Sequence, residues 1–394
     1  MMAGTLGTVF RKEVLDNFRD RRTLTSALLL GPLFGPVIFG IAITLSVEQS
    51  ISDASEPVSV PIIGAENAPH LVEYLRSRNI DDEIGPSTRD DALAAVRAGE
   101  QDVVVVIPEE FGEDLANGTP AKVEIIVDQA DRQSSRKAER AGSALAAYGQ
   151  EVSGLRLLAR GVDPTVLRPL NVDQIDVSTP TGRSALLLGM MSYFFLFALL
   201  TGGMNLAIDA TAGERERGSL EPLLALPVTR TRLILGKIFA ACLFMAMSLA
   251  MCLISFAVTL QFMPLEKLGM TANFGPGVIG LAFLLLVPFT LLGSSLMTLV
   301  ASFTRSYKEA QTWMSVVLLA PTMPILIVSI LMVRPSAPLM LVPSLSQHLL
   351  IVDLIKDEPL VPLNVFLSVS STLALGALLA FVCARLYRRE GLLG

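Results

Sequence analysis

Six stretches of the chain stay apolar long enough to cross a bilayer, and nothing else in the sequence limits the fold as much. A spanning helix needs roughly 20 predominantly apolar residues. The stretches Leu24–Val47, Ala185–Ile208, Leu233–Leu260, Val278–Ala301, Thr312–Val333 and Asn364–Ala384 reach that length. Inside hydrocarbon only helices and closed barrels satisfy their own backbone, and runs this long select helices. The composition agrees, with 52% hydrophobic and only 17% charged residues, against about 25% charged in soluble chains. Arg21-Arg22 before an apolar run also fits an export signal. A signal core is about 7–15 residues long and ends at a cleavage site. Leu24–Val47 is longer and five more runs follow, so the sequence predicts a retained anchor.

Charge is segregated. From Glu48 to Arg183 there are 24 acidic and 13 basic residues, a net of −11, while the rest of the chain holds 13 acidic and 18 basic residues, a net of +5. The overall −6 averages two different regions and points to no nucleic-acid partner. Basic residues gather at alternate ends of the spans: Arg11, Lys12, Arg19, Arg21 and Arg22; Arg215, Arg217, Arg230, Arg232 and Lys237; Arg305 and Lys308; Arg385, Arg388 and Arg389. The opposite short loops carry only Lys267, Arg334 and Lys356. Positive charge stays cytoplasmic, which predicts both termini inside and residues 48–183 outside.

The expected fold is an α-helical membrane protein with six transmembrane helices and an α/β extracytoplasmic domain between helices 1 and 2. Residues 1–22 form an interfacial amphipathic helix, 23–47 the first span, 48–183 the outer domain and 184–394 the remaining spans. In the first helix Leu6, Val9, Phe10, Val14 and Phe18 make an apolar face, and Arg11, Lys12 and Asp16 a charged one suited to lipid headgroups. In the outer domain Val58–Ile63, Asp102–Ile107 and Lys122–Val127 read as strands. His70–Arg78, Asp90–Ala98, Glu109–Ala116 and Ser134–Arg160 read as helices, the last stopped by Gly161. Leu170–Val177 leads back to the membrane. Residues 339–361, with Pro343, His348, Asp353 and Lys356, read as paired short helices re-entering the outer leaflet. Such a segment must be sheltered by protein.

The chemistry-bearing residues are sparse. Cys242, Cys252 and Cys383 all lie in apolar runs, and His70 and His348 have no metal-ligand spacing. No nucleophile–base pair occurs, and Gly236-Lys237 lacks the earlier glycine of a phosphate loop. The chain is therefore expected to be a non-catalytic one, with no catalytic, metal or cofactor site of its own.

The most informative stretch runs from Asp209 to Lys237, DATAGERERGSLEPLLALPVTRTRLILGK. It reads as a charged loop opening into a short helix. Gly218 and Ser219 can start that helix, Glu221 suits its first turn, and Leu220, Leu223 and Leu224 form one face. Pro227 stops it and Thr229 can cap the next helix. From Glu214 to Lys237 the stretch resembles the signature of type-2 ABC exporter permeases, and within them the chain looks like the NatB type, the permease of a sodium-extruding system. Leu299–Gln311 and Pro343–Leu350 add to the likeness. The resemblance implies that 209–235, and above all 213–227, couples to a separate ABC ATPase subunit, through Glu214, Arg215, Glu216, Arg217, Gly218, Leu220, Glu221, Leu223, Leu224 and Arg230. Arg305, Lys308 and Glu309 would make a second cytoplasmic contact. ATP and Mg would be bound by the partner, and two ATP sites imply a permease homodimer in the cell (inner) membrane.

Polar groups inside spans are candidates for a translocation path. Thr201, Asn205 and Asp209 fall at four-residue spacings on one face of the second span. Ser294, Ser295 and Thr298 lie on the fourth, and Gln311 and Thr312 open the fifth. Hydroxyls here ordinarily bond their own helix, and Asn205 can equally tie two helices together. No span centre holds a firm carboxylate, which weakens a dehydrated sodium site and leaves drugs, lipids and other amphiphiles open as cargo. A membrane-anchored sensor or assembly factor is the reading from a different class. A neighbouring gene for an ATPase discriminates between them.

Overall fold

The structure is a computed structural model that describes residues 2–55, 57–167, 170, 175, 179–180, 182, 184, 188–219, 222, 227–331 and 336–388. The chain divides into two compact units, one of Met1–Glu48 with Val177–Gly394 and the other of Gln49–Asp176.

The first unit is helical. It opens with α1 (Met2–Arg19), followed by a turn at Arg21–Leu24, a π-helical stretch Thr25–Leu30 and then α2 (Gly31–Ser55). Among the described residues, six helices are long and apolar enough to cross a membrane: Gly31–Gln49, Met191–Glu216, Arg230–Phe262, Pro276–Phe303, Tyr307–Val328 and Pro362–Leu386. The first of these starts later than the hydrophobic run. The π-helical stretch ends at Gly31-Pro32, where proline withdraws a backbone donor from the ladder.

The second unit carries a four-stranded sheet built from β1 (Val58–Ile63), β2 (Ile80–Glu83), β3 (Val103–Val106) and β4 (Glu124–Val127). The spatial order is β2-β1-β3-β4. β1 runs parallel to β2 and β3, and β4 closes the edge antiparallel, with Val103 opposite Val127. Helices α3 (Pro69–Ser77), α4 (Arg89–Ala98), α5 (Phe111–Asn117) and α6 (Arg132–Ala159) surround it. β3 is four valines because both of its faces are covered. Val103 and Val105 pack with Leu71, Leu75, Phe111 and Ala141, while Val104 and Val106 pack with Ala92 and Val96. Side chains alternate along a strand, so one short run serves two layers. β2 is the strand that the sequence pattern omits. Its Ile-Asp-Asp-Glu has one buried residue and three exposed acids, as suits an edge that must not recruit another strand. Thr88 caps α4 by accepting from the Asp91 N–H, and Asp131 caps α6 by accepting from the Ser134 N–H at 2.7 Å.

Returning to the first unit, α7 (Met191–Ile208), α8 (Arg230–Phe262) and α9 (Pro276–Phe303) form its packed centre, around Phe195, Phe256, Met245, Leu286 and Phe289. The fifth span is two helices, α10 (Tyr307–Leu319) and α11 (Thr322–Leu331), parted at Ala320-Pro321. It begins five residues before the expected Thr312, because Ser306 accepts from the Glu309 N–H and caps it. α12 (Leu345–Ile355) follows a 3-10 turn at Ala337–Leu341, and α13 (Pro362–Leu386) is the last span.

The apolar face of α1 meets protein. Phe10 and Val14 pack with Leu206, Ala240 and Phe244, and the Phe18 and Phe244 rings lie 5.1 Å apart. Gly236 makes room for this. A Cβ there would sit 2.8 Å from Val9 Cγ1 and 3.3 Å from the Phe10 backbone nitrogen. An amphipathic helix cannot announce from its sequence whether lipid or protein takes its apolar side.

Candidate functional site

The second span does not stop at Ile208. It passes through a π-helical turn, Asp209–Gly213, and continues to Glu216. Gly218 then ends it. Its φ of 66° is left-handed, the Gly218 N–H donates to Arg215 O at 3.0 Å, and the Ser219 N–H donates to Glu214 O at 3.0 Å. This pair of reversed hydrogen bonds is a glycine stop. Gly218 and Ser219 therefore close a helix; the short helix that the sequence pattern has them opening falls mostly outside the described residues. Glycine followed by serine suits either role. Thr229 holds the N-cap position of α8 but makes no side-chain cap bond. Leu220, Glu221, Leu223 and Leu224 lie outside the described residues.

The four charges Glu214–Arg217 all have partners within the chain. Glu214, 7% exposed, takes a hydrogen bond from Lys237, 2% exposed, whose ammonium also donates to Ala210 O at 2.7 Å. Arg215 reaches to the end of the fourth span, donating to Thr304 O at 2.7 Å and Ser302 O at 2.9 Å. Glu216 accepts the Tyr307 N–H at 2.6 Å, at the start of α10. Arg217 pairs with Asp209 at 2.7 Å. The motif is thus a clasp that joins one end each of spans two, three, four and five, with Glu216, Arg217 and Gly218 still exposed.

The last span joins the same cluster. Arg230 donates to Tyr387 O at 3.3 Å, Arg388 to the Thr231 hydroxyl at 3.1 Å, and the Tyr387 phenol lies 3.0 Å from the Ser302 hydroxyl. Burial pushes that phenol up to about 12, so it remains protonated. Arg305, Lys308 and Glu309 are exposed beside this clasp, and Glu309 accepts the Arg305 N–H at 2.8 Å. The described charges Arg215 and Glu216 thus adjoin the loop that carries Arg305, Lys308 and Glu309. Sequence reasoning did not bring Lys237, Ser302 and Tyr387 into the site. The only signal was a lysine set about 10 Å into an apolar helix, at 1.5 Å per residue.

The candidate path hydroxyls bond mostly within their own helices. Thr201 donates to Phe197 O, Thr298 to Ser294 O and Ser294 to Leu291 O, each within its own helix. Ser294 also lies 3.0 Å from Cys242 Sγ, and Ser295 is fully buried with its hydroxyl unpartnered. Asp209 is held by Arg217, and Asn205 is half-buried. Gln311 and Thr312 are exposed on α10.

Two features lie elsewhere on the bundle. The helix α12 is tied to the last span by buried polar groups. Gln347 accepts the Ser344 N–H at 2.7 Å and donates to Thr372 at 2.8 Å, and Ser368 donates to Ser346 at 2.8 Å. The Ser192 hydroxyl lies 2.8 Å from Gly189 O and 2.6 Å from His348 Nδ1. Between the first and second spans runs an apolar groove of about 470 Å³ lined by Phe34, Pro36, Ile38, Tyr193, Phe194 and Phe197.

These features, a six-span helical bundle with a charged clasp at one end, fit a transporter permease. The chain belongs to the ABC-2 family of transporter proteins, which it matches over residues 22–385. It is similar to the ABC transporter permease protein NatB of Bacillus subtilis (strain 168), 29% identical over 390 residues, which cover 96% of this chain and 97% of that relative. It is accordingly a multi-pass membrane protein of the ABC permease class.

Proposed function

We propose that the chain is the membrane-spanning subunit of an ATP-driven exporter, working as a pair of copies with separate ATPase subunits that bind ATP and Mg. The ATPase docks on the surface made by 213–227 and Arg305–Glu309. The observation that carries this reading is the clasp. A partner that moves one exposed segment moves the ends of spans two to five together, because Arg215 and Glu216 bridge the two loops. Both termini and this surface are cytoplasmic, and the unit Gln49–Asp176 is outside. Thiol labelling of intact cells checks the orientation. A cysteine replacing exposed Glu100 should react with an impermeant maleimide and one replacing Ser219 should not. The reverse pattern refutes the orientation.

Docking is tested at Leu223, which the sequence places on the apolar face of the segment. Burying a leucine contributes roughly 1.5–3 kcal/mol, or about 10- to 150-fold in affinity. Leu223→Asp should therefore abolish co-purification of the ATPase and leave insertion of the permease intact. Retention of the ATPase at the native level would show that the segment is only a surface loop.

Sodium is the cargo that the NatB-type resemblance favours. The groove beside Phe34 and Tyr193 favours a second cargo, a drug, lipid or other amphiphile, since its walls are aromatic and aliphatic. Flux of labelled sodium and of a lipophilic cationic dye into inverted vesicles, with and without the ATPase, separates the two. Absence of ATP-dependent flux of either, from vesicles in which the ATPase is bound, favours a sensor or assembly role.

A further inference from the structure

We infer that the end of α6 and the turn after it form a lipid-contacting tip, which the second unit lays on the bilayer surface through Leu155, Leu158, Val162, Val166 and Leu167. The inference is independent of the docking proposal, and it holds whichever side of the membrane the second unit faces.

α6 joins the core of the sheet through Ala138, Ala141, Ala144, Leu145 and Tyr148, and then runs on to Ala159. Gly161 stops it with a φ of 71°, and the Val162 N–H donates back to Leu157 O at 2.9 Å. The chain reverses into a 3-10 turn, Pro164–Leu167, fastened where the Thr165 N–H donates to the Asp163 carboxylate at 2.9 Å. The turn comes back against Gly154, since a Cβ there would lie 3.8 Å from Pro164 Cβ. Arg156 donates to Leu115 O and so pins the whole tip to α5. Leu155, Leu158, Val166 and Leu167 each leave more than half of their surface open, and Val162 more than a third. A single exposed leucine is ordinary, but a group of apolar side chains on one tip of an acidic domain marks a contact surface.

Three observations select lipid as what it meets. Ten residues lead from Leu167 to Val177, where the first unit resumes. Fully extended, they reach at most about 35 Å, so the tip is never far from the bilayer that surrounds the spans. The second observation is charge. Arg132 to Arg160 holds six basic and two acidic residues, whereas Glu48 to Arg183 as a whole holds 13 basic and 24 acidic ones. The apolar tip thus sits on the basic element of an acidic domain. Arginine beside leucine suits the headgroup boundary, with the apolar side chains buried and the guanidinium groups at anionic headgroups. The third is symmetry. Two copies paired through this patch would set Arg156 and Arg160 against the same two residues, a like-charge contact that anionic lipid avoids.

The full chain carries one tryptophan, Trp313. In a Trp313→Phe background, Leu158→Trp puts the sole indole on the tip, at an exposed position that admits a larger side chain. The protein is reconstituted in vesicles of phosphatidylcholine and phosphatidylglycerol, with and without bromine on the upper acyl carbons. Emission should move to the blue and fall about twofold or more in brominated lipid, as for a face buried roughly 5–10 Å into the headgroup boundary. Ile84→Trp in the same background is the control. Ile84 is 97% exposed but follows Asp81, Asp82 and Glu83, so the indole there should be quenched by aqueous acrylamide and not by bromine. Four results overturn the inference. Quenching of the tip by acrylamide alone means that it stays in water. Protection from both quenchers means that protein covers it. A disulfide dimer formed by Leu158→Cys means that a second copy covers it. Equal bromine quenching at Leu158→Trp and Ile84→Trp means that the tip has no preference for lipid.

Discussion

Replacing Lys237 alone by methionine is expected to be the most damaging single change in the bundle. Glu214 would remain 7% exposed with its ammonium partner gone, and Ala210 O would lose its donor. Breaking a buried pair from one side costs roughly 3–5 kcal/mol, a large part of the roughly 5–15 kcal/mol that holds a typical domain folded. The measurement is thermal melting and yield of the membrane-inserted chain. Lys237→Met should lose most of its yield, and adding Glu214→Met should restore it, because the second change removes the stranded carboxylate. A single variant that melts with the native chain would mean that Glu214 is not sealed from water.

The second large effect is steric. Gly376 lies where the last span crosses the fourth. A Cβ at this position would sit 2.9 Å from the Leu292 backbone nitrogen and 3.1 Å from Leu292 Cα. Those atoms belong to a helix backbone and cannot swing aside as a side chain would. Gly376→Leu should therefore separate the two spans and cost about 1–3 kcal/mol or more, in the range for an overfilled core. Gly280→Ala is the control, since nothing lies within 4 Å of its added carbon. It should be neutral or slightly stabilising, because alanine is the better helix former. Equal melting of Gly376→Leu and the native chain would show that the spans do not touch there.

The sequence made the spans legible because hydrocarbon imposes length and composition on any helix that crosses it. It made β1 legible to the residue, and β3, because four valines in a row fit only a strand covered on both faces. It failed where one residue serves two roles or where partners are distant. Gly218 ends the second span's helix with a left-handed φ, a stop that the charged motif does not announce. Pro321 breaks the fifth span, although the run Thr312–Val333 is apolar throughout. The face of α1 had the right periodicity but no mark of what covers it. The Glu214–Lys237 pair is invisible for another reason. Both residues belong to the charged motif, and a motif read as a surface offers no hint that two of its charges are turned inward. What the resemblance supplied was the place to look; the geometry within the place came from packing.

The clasp also bears on conformational entropy. Gly218 ends one helix and Thr229 opens the next, and the ten residues between them are the only chain joining two helix ends already fixed by Lys237. Closing a free loop of that length costs about 2 kcal/mol in chain entropy, before any constant term. In the intact protein that cost is met on folding, so whatever the segment meets, it meets a closed loop. A linear peptide copied from 213–230 starts with its ends apart and must close on binding, and so enters the same contact at a disadvantage of roughly 30-fold. A mimic of this surface needs its two ends tied, as the two helices tie them here.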